Sequence, residues 1–255
     1  MDKYIIRRNN KGIVWFTINR PEKRNAIDYE VMDGLSETIS EVKNNQSDKV
    51  FVITGIGEKA FCSGGDLAAF QNLMTKEDAY KMLSKMGEIL YSLATLEKPT
   101  VALLNGLAIG GGCELATACD YRLAFRESRF GFVQGRLGIT TGWGGATLLL
   151  ERVSTDKALQ MLLTGNIYTA VEGKDLGYIN HILSKDLPNN ECEEYISKQI
   201  IHNTKVIEAY KKVVNRKWVA TQLKQRMFRE IEECSVLWAS DEHHQAVSSF
   251  MNKNN

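Results

Sequence analysis

The chain has 255 residues, 44% hydrophobic and 25% charged, with 32 Lys and Arg against 31 Asp and Glu. These proportions belong to a soluble globular protein with enough chain to bury a large core. A formal charge of +1 argues against a dedicated nucleic-acid binder, and the longest apolar run, "TVALLNGLAIGGG", holds a polar Asn and is too short to span a bilayer.

"KYIIRR" and "GIVWFTINRP" read as two strands joined by a turn at Asn9-Asn10, the second stopping at Pro21. Asp28 caps a predicted helix whose apolar stripe is Met32, Leu35, Ile39 and Val42. The strand "KVFVIT" (49–54) runs into the glycine-bearing loop "GIGEKAFCSGGD". Thr75 and Asp78 resemble a capping box that opens a long helix with the stripe Ala79, Met82, Met86, Ile89 or Leu90, and Leu93. After Pro99 come the strand "TVALLN", the stretch "LNGLAIGGGCELATACD" and the strand "YRLAF" (121–125). "GWGGATLLLERV" and "DKALQMLL" read as helices, "TAVE" (169–172) as a second capping box and "YINHIL" as a last strand. Strands alternating with helices predict β-α repeats and a largely parallel sheet. From about Leu187 the strand signals stop, and "NECEEYISKQII", "KVIEAYKKVVNRKW" and "QRMFREIEECSVLWAS" are helical in pattern. The chain therefore reads as an α/β core, 1–187, and a helical region, 188–255, with the boundary at Pro188-Asn189-Asn190.

Cys62, Cys113, Cys119, Cys192 and Cys234 are odd in number and form no CxxC pair. Nothing at Met1-Asp2-Lys3 reads as a signal peptide, so reduced thiols in a cytoplasmic protein are expected. None of the four histidines has metal-ligand spacing; His243 and His244 are adjacent and point about 100° apart on a helix. No metal site is expected. The run "YKKVVNRKW" reads as the solvated face of a helix.

Gly110, Gly111 and Gly112 lead directly into Glu114 and the helix formers behind it, although glycine costs roughly 1 kcal/mol relative to alanine inside a helix. No G-x-G-x-x-G follows a candidate strand and no G-x-x-x-x-G-K-[ST] occurs, which removes the dinucleotide and P-loop explanations. An anion site at a helix start remains, because the first N–H groups have no internal partner and the dipole favours negative charge. Tight packing of elements is the competing explanation. A second glycine loop, "AFCSGGDL" (60–67), also follows a strand and leads toward a helix. Strand ends in parallel α/β sheets meet on one edge, so the loops can converge. One amide from each would make a two-donor oxyanion hole, each donor contributing about 3–4 kcal/mol to a developing oxyanion.

"NRPEKRNAID", "AFCSGGDL", "NGLAIGGGCELATACDYRLA", "FGFVQGRLGITTGWGG", "ALQMLLTGNIYTAVEGKDLGYINHIL" and the tail "WASDEHHQAVSSFMNK" resemble, in order and over nearly the whole chain, the signature blocks of the crotonase (enoyl-CoA hydratase/isomerase) superfamily. The resemblance implies a ββα spiral core, a C-terminal helical oligomerisation region, a homotrimer or homohexamer, and an acyl-CoA thioester substrate with no separate cofactor. By motif position it puts the oxyanion amides on Gly65 and Gly111 and the first catalytic glutamate on Glu114. It implies CoA contacts from Arg24, Ala26, Ser63, Asp66 and Leu67, and from Phe250 and Lys253 in the tail.

The second hydratase glutamate corresponds to Gln134, a neutral amide that cannot exchange a proton near neutral pH. "FVQGRLGITTGWGG", with its Trp143-Gly144-Gly145 ending, is similar to the ethylmalonyl-CoA and methylmalonyl-CoA decarboxylase type. Decarboxylation needs no general base, and Phe132 and Trp143 are candidates for an apolar wall. The predicted activity is therefore decarboxylation of a branched malonyl-CoA, with enoyl-CoA hydration or isomerisation and non-catalytic acyl-CoA binding as alternatives. Glu114 as a mere cap and Trp143 as plain core stay open. Asp66 is expected to fix its loop, and Cys62 is not expected to be a nucleophile, since no histidine is near it in sequence and no G-x-S-x-G elbow surrounds it.

Overall fold

The computed structural model describes residues 2–184, 188–200 and 203–253, the side chains of 188–190 and 253 excepted. Strands β1 (Tyr4–Arg8) and β2 (Ile13–Ile18) form the expected antiparallel pair. Asp28 caps α1 (Tyr29–Asn44) by accepting the Val31 N–H, and the stripe from Met32 to Val42 is buried as expected. β3 (Val50–Gly55) and a short β4 (Ala60–Cys62) lead to α2 (Leu67–Phe70) and the long α3 (Lys76–Ala94), capped by Thr75. β5 (Thr100–Leu104), β6 (Leu107–Ile109), α4 (Gly111–Ala118), β7 (Tyr121–Phe125) and β8 (Arg129–Gly131) follow. Next come α5 (Gly145–Leu150), α6 (Thr155–Thr164), β9 (Tyr168–Thr169), α7 (Ala170–Asp175) and β10 (His181–Leu183). The chain closes with α8 (Pro188–Gln199), α9 (Thr204–Ala220), α10 (Leu223–Trp238) and α11 (Asp241–Lys253).

Two sheets result. The larger has the order β1-β2-β3-β5-β7-β10 and is parallel from β2 onward; the smaller has the order β4-β6-β8-β9. β3 and β5 are buried along their whole length, as parallel strands covered on both faces must be. Alternation sorts their side chains. Val50, Val52, Val101 and Leu103 face a cluster that includes Cys192, Ile196 and Ile200 at the α8 end. Phe51, Ile53, Ala102 and Leu104 face the main core with α1 and α3. The second sheet is a correction to the reading of 55–66 as simple loop: β4, β6 and β8 run parallel there, each placing the loop that follows it on one side. The last strand is shorter than "YINHIL", since Tyr178 and Ile179 turn onto the Gly173 carbonyl before pairing begins. At the expected boundary, 185–187 lie outside the described residues.

Candidate active site

The two glycine loops converge. A Cβ on Gly64 would stand 3.1 Å from the Gly111 nitrogen, and one on Gly112 would strike the Cys62 carbonyl. The three central glycines thus have separate reasons. Gly110 holds φ +57° and ψ −118°, a region closed to side chains. Gly112 lets α4 pack onto the end of β4. Gly111 lies under the Trp143 ring, which a Cβ there would overlap; a Cβ on Gly65 would come 3.6 Å from the same ring.

Backbone pairing aims the Gly65 amide. Ile27 donates to the Gly64 carbonyl at 2.8 Å and accepts from the Asp66 amide at 2.9 Å. In such a parallel bridge the N–H of the residue between, Gly65, points away from its partner strand. Gly111 is the first residue of α4, where N–H groups lack an intrahelical acceptor. Both glycines are partly exposed. Both glycines lie against the same indole ring, and two amides converging there would suit an oxygen that gains negative charge.

The surrounding loop is held by an ion pair the sequence reading missed. Arg20 donates to Asp66 at 2.6 Å and to the Ala26 carbonyl at 2.8 Å, both side chains being buried. Asp66 also caps α2 through the Ala68 amide, so its carboxylate is occupied by structure. Arg24 and Asn25 take left-handed φ values of 50° and 57°. The Ser63 amide donates to the Arg24 carbonyl at 3.1 Å and the Ser63 hydroxyl to the Lys23 carbonyl. The structure therefore brings Arg24, Ala26, Ser63, Asp66 and Leu67 together on one rim beside Gly65.

Glu114 is 2% exposed and accepts four hydrogen bonds, from Gln134 Nε2 (3.0 Å) and from the amides of Gly142 (3.2 Å), Trp143 (2.8 Å) and Gly145 (2.9 Å). It caps α5, not its own helix. Burial pushes its carboxyl up to about 7, reinforced by the like charge of Glu230, and the donors only partly offset this. Because a carboxylate only accepts, the Gln134 amide must present Nε2 to it; its Oε1 is left buried with no partner. Trp143 is buried and touches both glycine positions. Phe132 is buried too, but its ring packs edge-on against Tyr178 at 6.0 Å, under α4. Cys62 is fully buried and its thiol is pushed up to about 12 by desolvation, which disfavours the reactive thiolate.

A cavity of about 320 Å³ lies between α2 and α11, lined by Leu67, Phe70, Trp238, His244, Val247 and Met251 among others. Phe70 separates it from Gly65, and the His244 Nε2 is buried there without a partner. Phe250 is 49% exposed on α11 and does not line the cavity; the Lys253 side chain lies outside the described residues. Glu230, also unforeseen, sits among Met227, Ile231 and Cys234 on the buried stripe of α10, where a lone carboxylate was the available signal.

Residues 8–255 match the family described as enoyl-CoA hydratase/isomerase. The chain belongs to the enoyl-CoA hydratase/isomerase family. This crotonase-family chain is 28% identical to a crotonyl-CoA hydratase of Syntrophomonas wolfei over 253 residues, 99% of this chain and 96% of that protein. It is 33% identical to an ethylmalonyl-CoA decarboxylase of Bos taurus over 246 residues, 95% of this chain and 80% of that protein. Its fold is similar to the crystal structure of an enoyl-CoA hydratase from Bacillus halodurans, with TM-score 0.87 and 26% identity over 97% of this chain and 99% of that one.

Proposed function

We propose that this crotonase-family protein decarboxylates a branched malonyl-CoA thioester. The observation that carries the reading is Gln134, a neutral amide tied to Glu114 where hydration needs a second carboxylate. Glu230 stands apart from Gln134, on the Thr141 hydroxyl and the amides of Ala146 and Thr147. The thioester oxygen sits between the Gly65 and Gly111 amides. The bond from Cα to the substrate carboxylate breaks, its electron pair forms the Cα–C double bond of an enolate, and the carbonyl pair moves onto the thioester oxygen. Carbon dioxide leaves. The two amides hold the enolate oxygen, and Trp143 keeps water off it. Glu114, close to half protonated near neutral pH, then gives Cα a proton and regains one from solvent. The likeness to ethylmalonyl-CoA decarboxylases supports this reading. The cavity beyond Phe70 offers room for an acyl branch, and the Arg24–Leu67 rim is where CoA lies.

Hydration of an enoyl-CoA is the second reading, favoured by full-length likeness to hydratases. Mass spectrometry against ethylmalonyl-, methylmalonyl- and crotonyl-CoA separates the two. Loss of carbon dioxide from a malonyl derivative is expected; strong hydration of crotonyl-CoA with no carbon dioxide release overturns the proposal, and binding without any turnover favours a plain acyl-CoA binder. The protein also assembles with its own copies. Val206, Tyr210 and Val213 form an exposed apolar stripe on α9, fitting the trimer or hexamer that the resemblance implies. Light scattering that shows a stable monomer contradicts this. The five free, buried thiols fit a reducing compartment such as the cytoplasm.

A further inference from the structure

The segment 141–147 carries Trp143 and begins α5, and two carboxylates from other elements take hold of it. Glu114, from α4, accepts the amides of Gly142, Trp143 and Gly145. Glu230, from α10, accepts the Thr141 hydroxyl, the Ala146 amide at 3.0 Å and the Thr147 amide at 2.7 Å. Between 142 and 147 only the Gly144 amide is outside these two grips. The segment is also pinched between helices. A Cβ on Gly142 would stand 2.7 Å from Leu83 of α3 and 3.2 Å from Cys234 of α10, and one on Gly144 would stand 2.7 Å from Met227 of α10. Glycines at these places let the chain run flat between α3 and α10, with its amides turned to the two acids.

We propose that Glu230 is a positioning residue: with Glu114 it forms a two-carboxylate clamp on 141–147 that fixes the Trp143 ring over Gly65 and Gly111. The two acids grip alternate stretches of one short segment. Slack at 146–147 therefore passes to 142–145. An ordinary helix cap would act only on the amides it touches. Nothing in the reaction needs Glu230 to meet substrate; its effect runs through Trp143 and through the geometry of the Glu114 carboxylate.

Site-resolved hydrogen exchange on the full chain tests this without reference to any reaction. Glu230→Gln removes one acceptor and sets an amide donor against a backbone donor. Exchange at Ala146 and Thr147 is expected to rise by about tenfold, the loss of one hydrogen bond. The same rise is expected at Gly142, Trp143 and Gly145, which Glu230 does not touch. Thr141→Val removes the hydroxyl that donates to Glu230 and accepts from the Ala146 amide at 3.2 Å. A rise in exchange at Gly142, Trp143 and Gly145, which that hydroxyl does not touch, is expected, and this variant serves alone if Glu230→Gln does not fold. Glu232→Gln, on the same helix as Glu230, breaks a surface pair with Lys76 of α3 and is expected to change nothing at 142–147. A rise confined to 146–147, or a uniform rise through α3, α9 and α10, overturns the proposal. The consequence for turnover rests on the decarboxylase reading: kcat falls with KM for the thioester little changed. If no thioester is turned over, that reading fails while the exchange result still decides the clamp.

Discussion

The helix α4 has an acid at each end, Glu114 buried and Asp120 half-buried, and the two are solvated by the protein in opposite ways. Asp120, just past its C-terminal end, meets cations: Lys211 reaches both its oxygens at 2.6 and 2.7 Å, and Arg152 stands 3.4 Å away. Glu114, in its first turn, meets no cation among its hydrogen-bond partners, only three backbone amides and Gln134, with Glu230 as a like charge nearby. The cations tie Asp120 to α9 and to the turn after α5. Burial leaves the Glu114 proton exchangeable near neutral pH, and neutral donors only partly offset that. The first arrangement ties helices together; the second suits a group that delivers a proton.

Removing each acid should therefore break different things. Glu114→Gln has no carboxyl proton to give and sets an amide donor against the donors that Glu114 accepts. Turnover is expected to fall by at least about 10²–10⁴-fold, the usual contribution of a general acid, with thioester affinity less affected. Steady-state kinetics beside a binding isotherm check this; unchanged kcat would remove Glu114 from the reaction. Asp120→Asn leaves Lys211, 8% exposed, and Arg152 without their counter-charge. A cost of about 3–5 kcal/mol in unfolding free energy is expected, with kcat per folded molecule unchanged. Denaturant titration measures it, and a cost near zero would show that Lys211 finds another partner.

The pH dependence sharpens the contrast. Glu114 is raised from 4.5 to about 7 on folding, so between those values the folded chain holds a proton that the unfolded chain has released. Its contribution to stability is full below about pH 4.5 and is lost as pH rises through about 7, a swing of about 3 kcal/mol. Unfolding free energies measured across that range should decline more steeply in the wild type than in Glu114→Gln. Parallel profiles would contradict the raised value. The decarboxylation rate should likewise fall on the alkaline side of about pH 7, as the acid form is depleted.

How much of this was legible in the sequence depended on range. Local signals carried well: Asp28, Thr75 and Thr169 each cap the helix expected of them, because a cap is written within four residues. The strands of the second sheet, only two or three residues long, are too short to show a period. The paired glycine loops and Glu114 stood out because glycine and a lone acid at a helix start are locally costly. The partners that make them a site come from far along the chain. Arg20 meets Asp66 across 46 positions, and Glu230 meets Thr147 across 83; no local pattern announces either. Gln134 was legible as a departure from the family, but its tie to Glu114 was not.

That tie makes Gln134→Glu the most direct measurement. In a decarboxylase the new carboxylate faces both Glu114 and the substrate's own carboxylate, and like charges in a poorly solvated pocket cost several kcal/mol as an order of magnitude. Carbon dioxide release from ethylmalonyl-CoA is expected to drop, with no gain in crotonyl-CoA hydration. A rise in hydration of about 10²–10⁴-fold, the restoration of a missing acid–base partner, would contradict the decarboxylase reading and leave the chain a hydratase with one carboxylate lost.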